Sequence, residues 1–359
     1  MLYFFRVFFA QELYCKFYIA KNLTINYAIV KKAITSMLGL LMFITLFSQN
    51  DTSKNAFVPN GKPMVKVFSN FHFGLTPYNN SSGFELQRAY IGYGYNMSEN
   101  FSLKANIDVG NPGNESKYEY TAYLKTAALT YKKDKLQVDF GMIGLNQFKL
   151  QEKIWGHRYI YKSFMDEHGF GHSADLGVLL KYDLVKDLQV DITLRNGEGY
   201  KRTQSDSNYR GAIGSTLTLG DIMLRGVYDI TRKEKVQSTI SGFLGYKLKN
   251  EILAGVEYNV QLNSGFDKDH TLSGISTYAS YSISDKFQVF GRFDWLTSNK
   301  ISGEPGNWNK LEDGTKQIVG IQYQMIKQAR IAINFQNWEP DDSTVDNAPF
   351  IYISLEFKI

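Results

Sequence analysis

Chemistry in this chain is concentrated first in one long connection, Gly144 to Ser173, which holds Lys149, Lys153, His157, Arg158, Lys162, Asp166, Glu167, His168 and His172. A connection of this length is functional or disordered far more often than a passive tether. Asp166-Glu167-His168 with His172 brings carboxylates and imidazoles together, but their spacing matches no established ligand motif, so no metal is expected. The chain has no Gly-x-Ser-x-Gly elbow, no His-Glu-x-x-His and no phosphate-cradling glycine loop. Of its five histidines, four lie in connections and His72 lies near a strand end, so neither enzymatic activity nor a cofactor is expected.

A second set of charges is dispersed, and its parity is informative. Arg88, Lys104, Lys125, Lys181, Arg195, Arg210, Arg225, Arg292 and Arg330 alternate with apolar neighbours, as do Asp108, Asp139, Asp175, Asp191, Asp229, Glu257, Asp294 and Glu356. Nine cations against eight anions on one face give a nearly balanced wall. Such a wall sets up a transverse field that orders water and orients polar solutes, or stiffens itself through cross-strand ion pairs.

The elements that must carry these residues are strands. In the last ten residues Ile351, Ile353, Leu355, Phe357 and Ile359 alternate with Tyr352, Ser354, Glu356 and Lys358. The same dyad recurs in Phe101–Val109 and Leu188–Arg195. It recurs in Lys286–Trp295 too, where Phe290 sits on the polar parity. From Met64–Phe73 to Pro349–Ile359 the chain divides into sixteen segments of about ten residues, the length of a tilted membrane strand. Tight connections such as Met97–Asn100, Lys132–Lys135, Leu219–Asp221 and Ser284–Asp285 alternate with long ones such as Asn196–Asn208 and Leu296–Lys316. Six of the seven prolines fall in the lead-in or in long connections, and Pro349 opens the last strand. The expected fold is an all-β, antiparallel, up-and-down transmembrane β-barrel of about 16 strands. Sixteen strands enclose too wide a bore for a side-chain core, which places the apolar set in lipid and the charged set in water. Trp295 and Trp338 are expected at the long-loop rim, where interfacial aromatics belong.

Domain organisation follows from the leader. Lys31-Lys32, the apolar run Met37–Phe47 and Ser48-Gln49-Asn50-Asp51 read as a secretory signal over 31–48. Residues 1–30 read as an over-extended start, 49–63 as a periplasmic lead-in and 64–359 as the barrel. The formal charge of +5 belongs mostly to the leader; beyond residue 48 the chain has 35 basic and 34 acidic residues. Net charge therefore gives no support to a nucleic-acid partner. The single cysteine, Cys15, is also in the leader, which rules out a disulfide framework in the body.

The secretion signal, cysteine-free body, sixteen strands and terminal strand together resemble Gram-negative outer-membrane porins. Two stretches, Trp155-Gly156-His157-Arg158-Tyr159-Ile160-Tyr161-Lys162-Ser163 and Phe170-Gly171-His172-Ser173-Ala174-Asp175-Leu176-Gly177-Val178, are similar to the phosphate-selective porin (porin O and P) superfamily. Gly83-Phe84-Glu85-Leu86-Gln87-Arg88-Ala89 is similar to it as well. The resemblance implies location in the outer membrane, contact with its lipid and passive diffusion of small hydrophilic solutes or ions. It also implies engagement of the barrel-assembly machinery by the C-terminal strand and, by analogy, a homotrimer. The phosphate label is not carried over, since no dense lysine cluster is visible in the sequence. The long connection is expected to fold into the lumen as a constriction loop carrying Lys149, Arg158, Lys162, Asp166 and Glu167. The pore wall is expected to expose Arg88, Lys104, Lys125, Asp139, Asp175, Lys181, Asp191, Arg195, Arg210, Arg225, Glu257, Arg292, Asp294 and Arg330. Two alternatives stay open: a plugged barrel whose loops bind surfaces, and a channel specific for phosphate or other anions.

Overall fold

A computed structural model describes residues 57–359 except 112–118 and 250. The start and signal assigned to residues 1–48, and most of the lead-in, lie outside the described residues. Sixteen antiparallel strands close on themselves in sequence order, with β1 hydrogen-bonded to β16. They are β1 (Asn60–Gly74), β2 (Ser82–Asn96), β3 (Phe101–Gly110), β4 (Thr121–Lys133), β5 (Leu136–Gly144), β6 (Ala174–Val185), β7 (Leu188–Arg195) and β8 (Arg210–Leu219). The second half comprises β9 (Ile222–Arg232), β10 (Val236–Leu248), β11 (Ile252–Leu262), β12 (Thr271–Ser282), β13 (Phe287–Ser298), β14 (Gly314–Ile326), β15 (Ala329–Pro340) and β16 (Phe350–Lys358). Two short helices, α1 (Lys149–Trp155) and α2 (Phe164–Glu167), interrupt the connection between β5 and β6.

Closure removes every free sheet edge. Ile192, Leu194, Ile213, Leu224, Ile240, Phe293, Ile333 and Ile353 stand exposed on the outer surface, while Asp108, Asp229, Asn259, Asp294 and Glu356 are buried within. The polar set faces inward and the apolar set outward, the reverse of a soluble barrel.

Three details depart from the sequence reading. β1 starts at Asn60, so Pro63 lies inside a strand; that stretch pairs only with β2, because pairing with β16 begins at Lys66, so its missing N–H costs no ladder bond. Trp338 does not join the interfacial ring. It turns inward and packs on the Phe148–Phe164–Met165 cluster and the His168 ring, whereas Trp295 faces outward. The bore is also not uniformly polar. Phe68, Phe243, Tyr278, Phe290, Ile318 and Ala332 point inward and form an apolar layer on one side.

Candidate functional site

Seven residues are too few for a helix to persist alone, so α1 depends on what it buries. Gln151, Ile154 and Trp155 are its buried face. Gly156 ends it in the left-handed region (φ 70°) and donates its N–H to the Glu152 carbonyl at 3.0 Å, a conformation that favours glycine. Ile154, Trp155, Tyr159 and Ile160 then fill the inward apolar layer of β1, β10, β12, β13, β14 and β15. Each such burial stabilises by at most about 1.5–3 kcal/mol, so docking is driven chiefly by these four side chains.

Polar contacts fix where the loop sits. Gln147 donates to Asp229 at 2.7 Å and Asn146 to Asp191 at 3.0 Å. Tyr278 donates its hydroxyl to the Gln151 carbonyl at 2.9 Å, Arg330 donates to the Gly156 carbonyl at 2.9 Å, and Arg292 to the Lys162 carbonyl at 2.6 Å. Tyr159 donates to Gln322 at 3.0 Å. The connection therefore lies inside the barrel, with most of these contacts on β9–β15 and others on β7 and β1.

The inward charges divide into two groups. One is closed in ion pairs: Arg195 and Arg210 on Asp229, with Asp175 at 3.7 Å from Arg195; Arg225 on Asp191 at 2.8 Å; Arg292 on Asp294 at 2.7 Å; and Arg330 on Glu356. Asp139 accepts from Thr130 at 2.6 Å and from Gln137. Glu257 is buried beneath the loop and accepts from Asn259 at 3.2 Å. Lys181 faces inward, opposite Asp191 on β7, and its field acts on Lys149.

The second group lines open space between the loop and the β1–β6 wall. A cavity of about 440 Å³ on the short-turn side is lined by Lys66, Lys104, Lys149, Lys358 and Glu152. Another of about 380 Å³ on the long-loop side is lined by Arg88, Lys162, Lys201, Arg202, Glu198 and His172. The two abut at Lys125, Arg158, Asp166 and Ser173, residues common to both linings. Glu152, Asp166 and Glu198 are the only side-chain carboxylates lining either cavity among the described residues, against ten lysines and arginines.

Two bulges build this junction. Gln87 and Lys125 are each the extra residue where register shifts, on β2 and β4. The first aims Arg88, and the second aims Lys125 itself, at Asp108 on the strand between them, each at 3.4 Å. Tyr200 also donates its hydroxyl to Asp108 at 2.6 Å. Burial, reinforced by Asp108, raises the Tyr200 phenol well above its ordinary value, so it stays a donor. Lys125 lies over the Tyr90 and Tyr200 rings, 4.9 and 5.0 Å from their centroids. Facing this cluster, Arg158 stands 3.7 Å from both Glu152 and Asp166. Lys162 pairs with Glu167 at 2.9 Å; burial would raise the Glu167 carboxyl, but Lys162 outweighs it and holds the group ionised. Burial, with Lys181 adding to it, lowers the Lys149 ammonium to about 8.

Sequence parity placed the wall charges on the inner face but did not distinguish those locked in pairs away from the cavities from those that line them. It also missed Tyr90, Tyr200, Lys201 and Arg202, and the lysines Lys66 and Lys358. The apolar layer had a visible signal, since Phe68, Phe243, Phe290 and Ile318 share the parity of the charged residues. Among the described residues no group of three or more His, Cys, Asp or Glu is placed to hold a metal.

No family model matches the chain, and no curated protein matches it. Solved structures do. The outer membrane channel DcaP of Acinetobacter baumannii is similar with a TM-score of 0.62 at 11% identity, over 86% of this chain and 99% of that one. The trimer form of OmpT, an outer membrane protein of Vibrio cholerae, gives 0.59 at 14% identity, over 85% and 100%. An anion-selective porin from Comamonas acidovorans gives 0.61 at 8% identity, over 84% and 100%. These likenesses show the barrel fold and do not single out the phosphate-selective superfamily. The chain has the closed sixteen-strand antiparallel fold of those outer-membrane proteins.

Proposed function

We propose that the protein is an outer-membrane diffusion channel for small hydrophilic solutes and ions, with a preference for anions. The observation that carries this reading is the pair of abutting cavities, lined by ten lysines and arginines against three side-chain carboxylates. The wall as a whole is mixed in charge. Pairing neutralises Arg195, Arg210, Arg225, Arg292 and Arg330, and the field left along the passage is positive. Arg88, Lys125 and Arg158 with Asp108 and Asp166 form the narrow part, and Lys149, Lys162 and Glu167 shape the loop that narrows it. The apolar outer band contacts membrane lipid, and β16 engages the barrel-assembly machinery. A homotrimer is the proposed assembly, supported by analogy with the trimer form of OmpT.

Planar-bilayer recording in a KCl gradient tests the reading. Stable ohmic steps with a reversal potential of anion-selective sign are expected. Arg158→Gln with Lys125→Gln should reduce the anion-to-cation permeability ratio on the order of a few-fold. Selectivity should fade toward 1 M salt, where the Debye length falls to about 3 Å.

A second reading is favoured by one feature: the loop packs an apolar core against one side of the bore. A plugged barrel that binds surfaces through its outer loops would show no conductance, and deletion of 146–168 would then create it. In a channel the same deletion raises an existing conductance, and unchanged conductance would exclude the constriction.

A further inference from the structure

Beneath the apolar layer the interior holds a compartment that the passage does not use. Its volume is about 600 Å³, its roof is the Ile154–His157 segment of the loop, and its walls are the short-turn ends of β10–β16. Inward residues farther along the same strands belong to the apolar layer above it. On β13 Gln288 lines it and Phe290 seals above; on β15 Arg330 lines it and Ala332 seals; on β10 Lys247 lines it and Phe243 seals. The Ser284–Lys286 turn of the short-turn rim forms part of its lining.

Its charge is one-sided. Lys153 from α1, Lys247, Lys286 and Lys358 line it against the single carboxylate Asp285, and none of the four lysines has an ion-pair partner among the described residues. Arg330 is spent on Glu356 and on the loop carbonyl of Gly156. Gln322 also lines the chamber, and its Oε1 accepts from both Tyr159 and Arg330. A lysine ammonium is a compact point charge on a flexible stem. Four of them spread around a space within the size range of small-molecule sites match a ligand bearing several separated negative charges better than a single small ion.

We propose that this chamber is a binding site for a small multivalent anion, a polycarboxylate or a polyphosphate, entering from the short-turn side. The site is separate from the passage, with Lys358 in the wall between them, and it stands whether or not the passage conducts.

Isothermal titration of the purified, detergent-solubilised protein tests it, using tripolyphosphate and citrate as separate probes at low ionic strength. One saturable site per chain is expected for at least one probe. Binding of tripolyphosphate alone assigns phosphoryl chemistry, binding of citrate alone assigns carboxylates, and binding of both assigns charge count as the criterion. The triple variant Lys153→Gln, Lys247→Gln, Lys286→Gln should weaken binding at least tenfold. Lys132→Gln, Lys133→Gln, Lys135→Gln removes the same charge from the same rim outside the chamber, and should leave affinity within about twofold. Binding by neither probe overturns the proposal, as does equal loss in the two triple variants, which would mark diffuse attraction. Folding of each variant is read from its unboiled gel mobility. Bilayer conductance of the chamber variant should match the unaltered protein, so a failed site and a failed channel give different results.

Discussion

At the scale of single residues, the proposed passage depends on the balance of charge along its lining. Lys149 illustrates the consequence for pH. Its ammonium is lowered to about 8 by burial and the neighbouring Lys181, so it is charged below that pH and neutral above. Anion selectivity should therefore fall as pH rises through about 8, measured as a shrinking reversal potential in a fixed KCl gradient. Lys149→Gln should show the high-pH value throughout, and Lys149→Arg should flatten the dependence. The inward placement of these groups was legible in the sequence because strand parity is strict. Their pairing was not, since Asp229 gathers Arg195 and Arg210 from two other strands, and such register is set only when the barrel closes. Lys125 shows a further limit: it is the extra residue of a bulge, so simple alternation gives no rule for its direction. Tyr200 had no sequence signal at all, because its role depends on a loop reaching Asp108 across the mouth.

At the scale of elements, the loop and its seat form one unit. Phe290 packs against Trp155 and His157, with ring centroids 6.0 and 4.3 Å apart. Phe290→Ala should cost roughly 3–5 kcal/mol of docking, seen as noisier or enlarged single-channel steps from a barrel that still assembles. Acid should loosen the same unit. Burial, with Arg330 adding to it, pushes the His157 imidazole down to about 3, and burial beside Arg210 pushes His172 down to about 4. Docking thus favours both imidazoles neutral. Its stability is complete above the ordinary histidine value near 6.5 and declines as pH falls from there toward 3–4. Current fluctuations should grow between pH 6 and pH 4, and His157→Gln with His172→Gln should abolish that growth. An inserted loop was an expectation drawn from its length and charge, and its helices had no such signal, because α1 and α2 are stabilised by residues 90 to 180 positions away. The inward Phe290 was an available clue, and it marks the seat.

At the scale of the whole molecule, the barrel is specified by a repeated pattern, and this explains why strand number, faces and the alternation of short and long connections were all legible. Each strand repeats the same two-residue signal, and errors at individual ends do not accumulate. Ile192 lies in the exposed apolar band, so Ile192→Arg should cost about 2–4 kcal/mol if it lies near the membrane midplane. A lowered melting temperature in detergent is the readout, and Thr193→Arg on the inner face provides the comparison for local crowding. The intact barrel should migrate differently on a gel before and after boiling.

The seat of the loop also dictates an order of events. The segment that folds inward is made between β5 and β6, yet Phe243, Tyr278, Phe290, Ile318 and Ala332, on which it rests, arrive 70 to 190 residues later in the chain. Its docking surface spans five of the last seven strands and Phe68 of β1, and is complete only once β1 meets β16. The loop is therefore expected to dock last, leaving a newly closed barrel with its bore unobstructed for an interval. Cells making the protein rapidly should leak small dyes in proportion to its synthesis rate rather than to its accumulated amount.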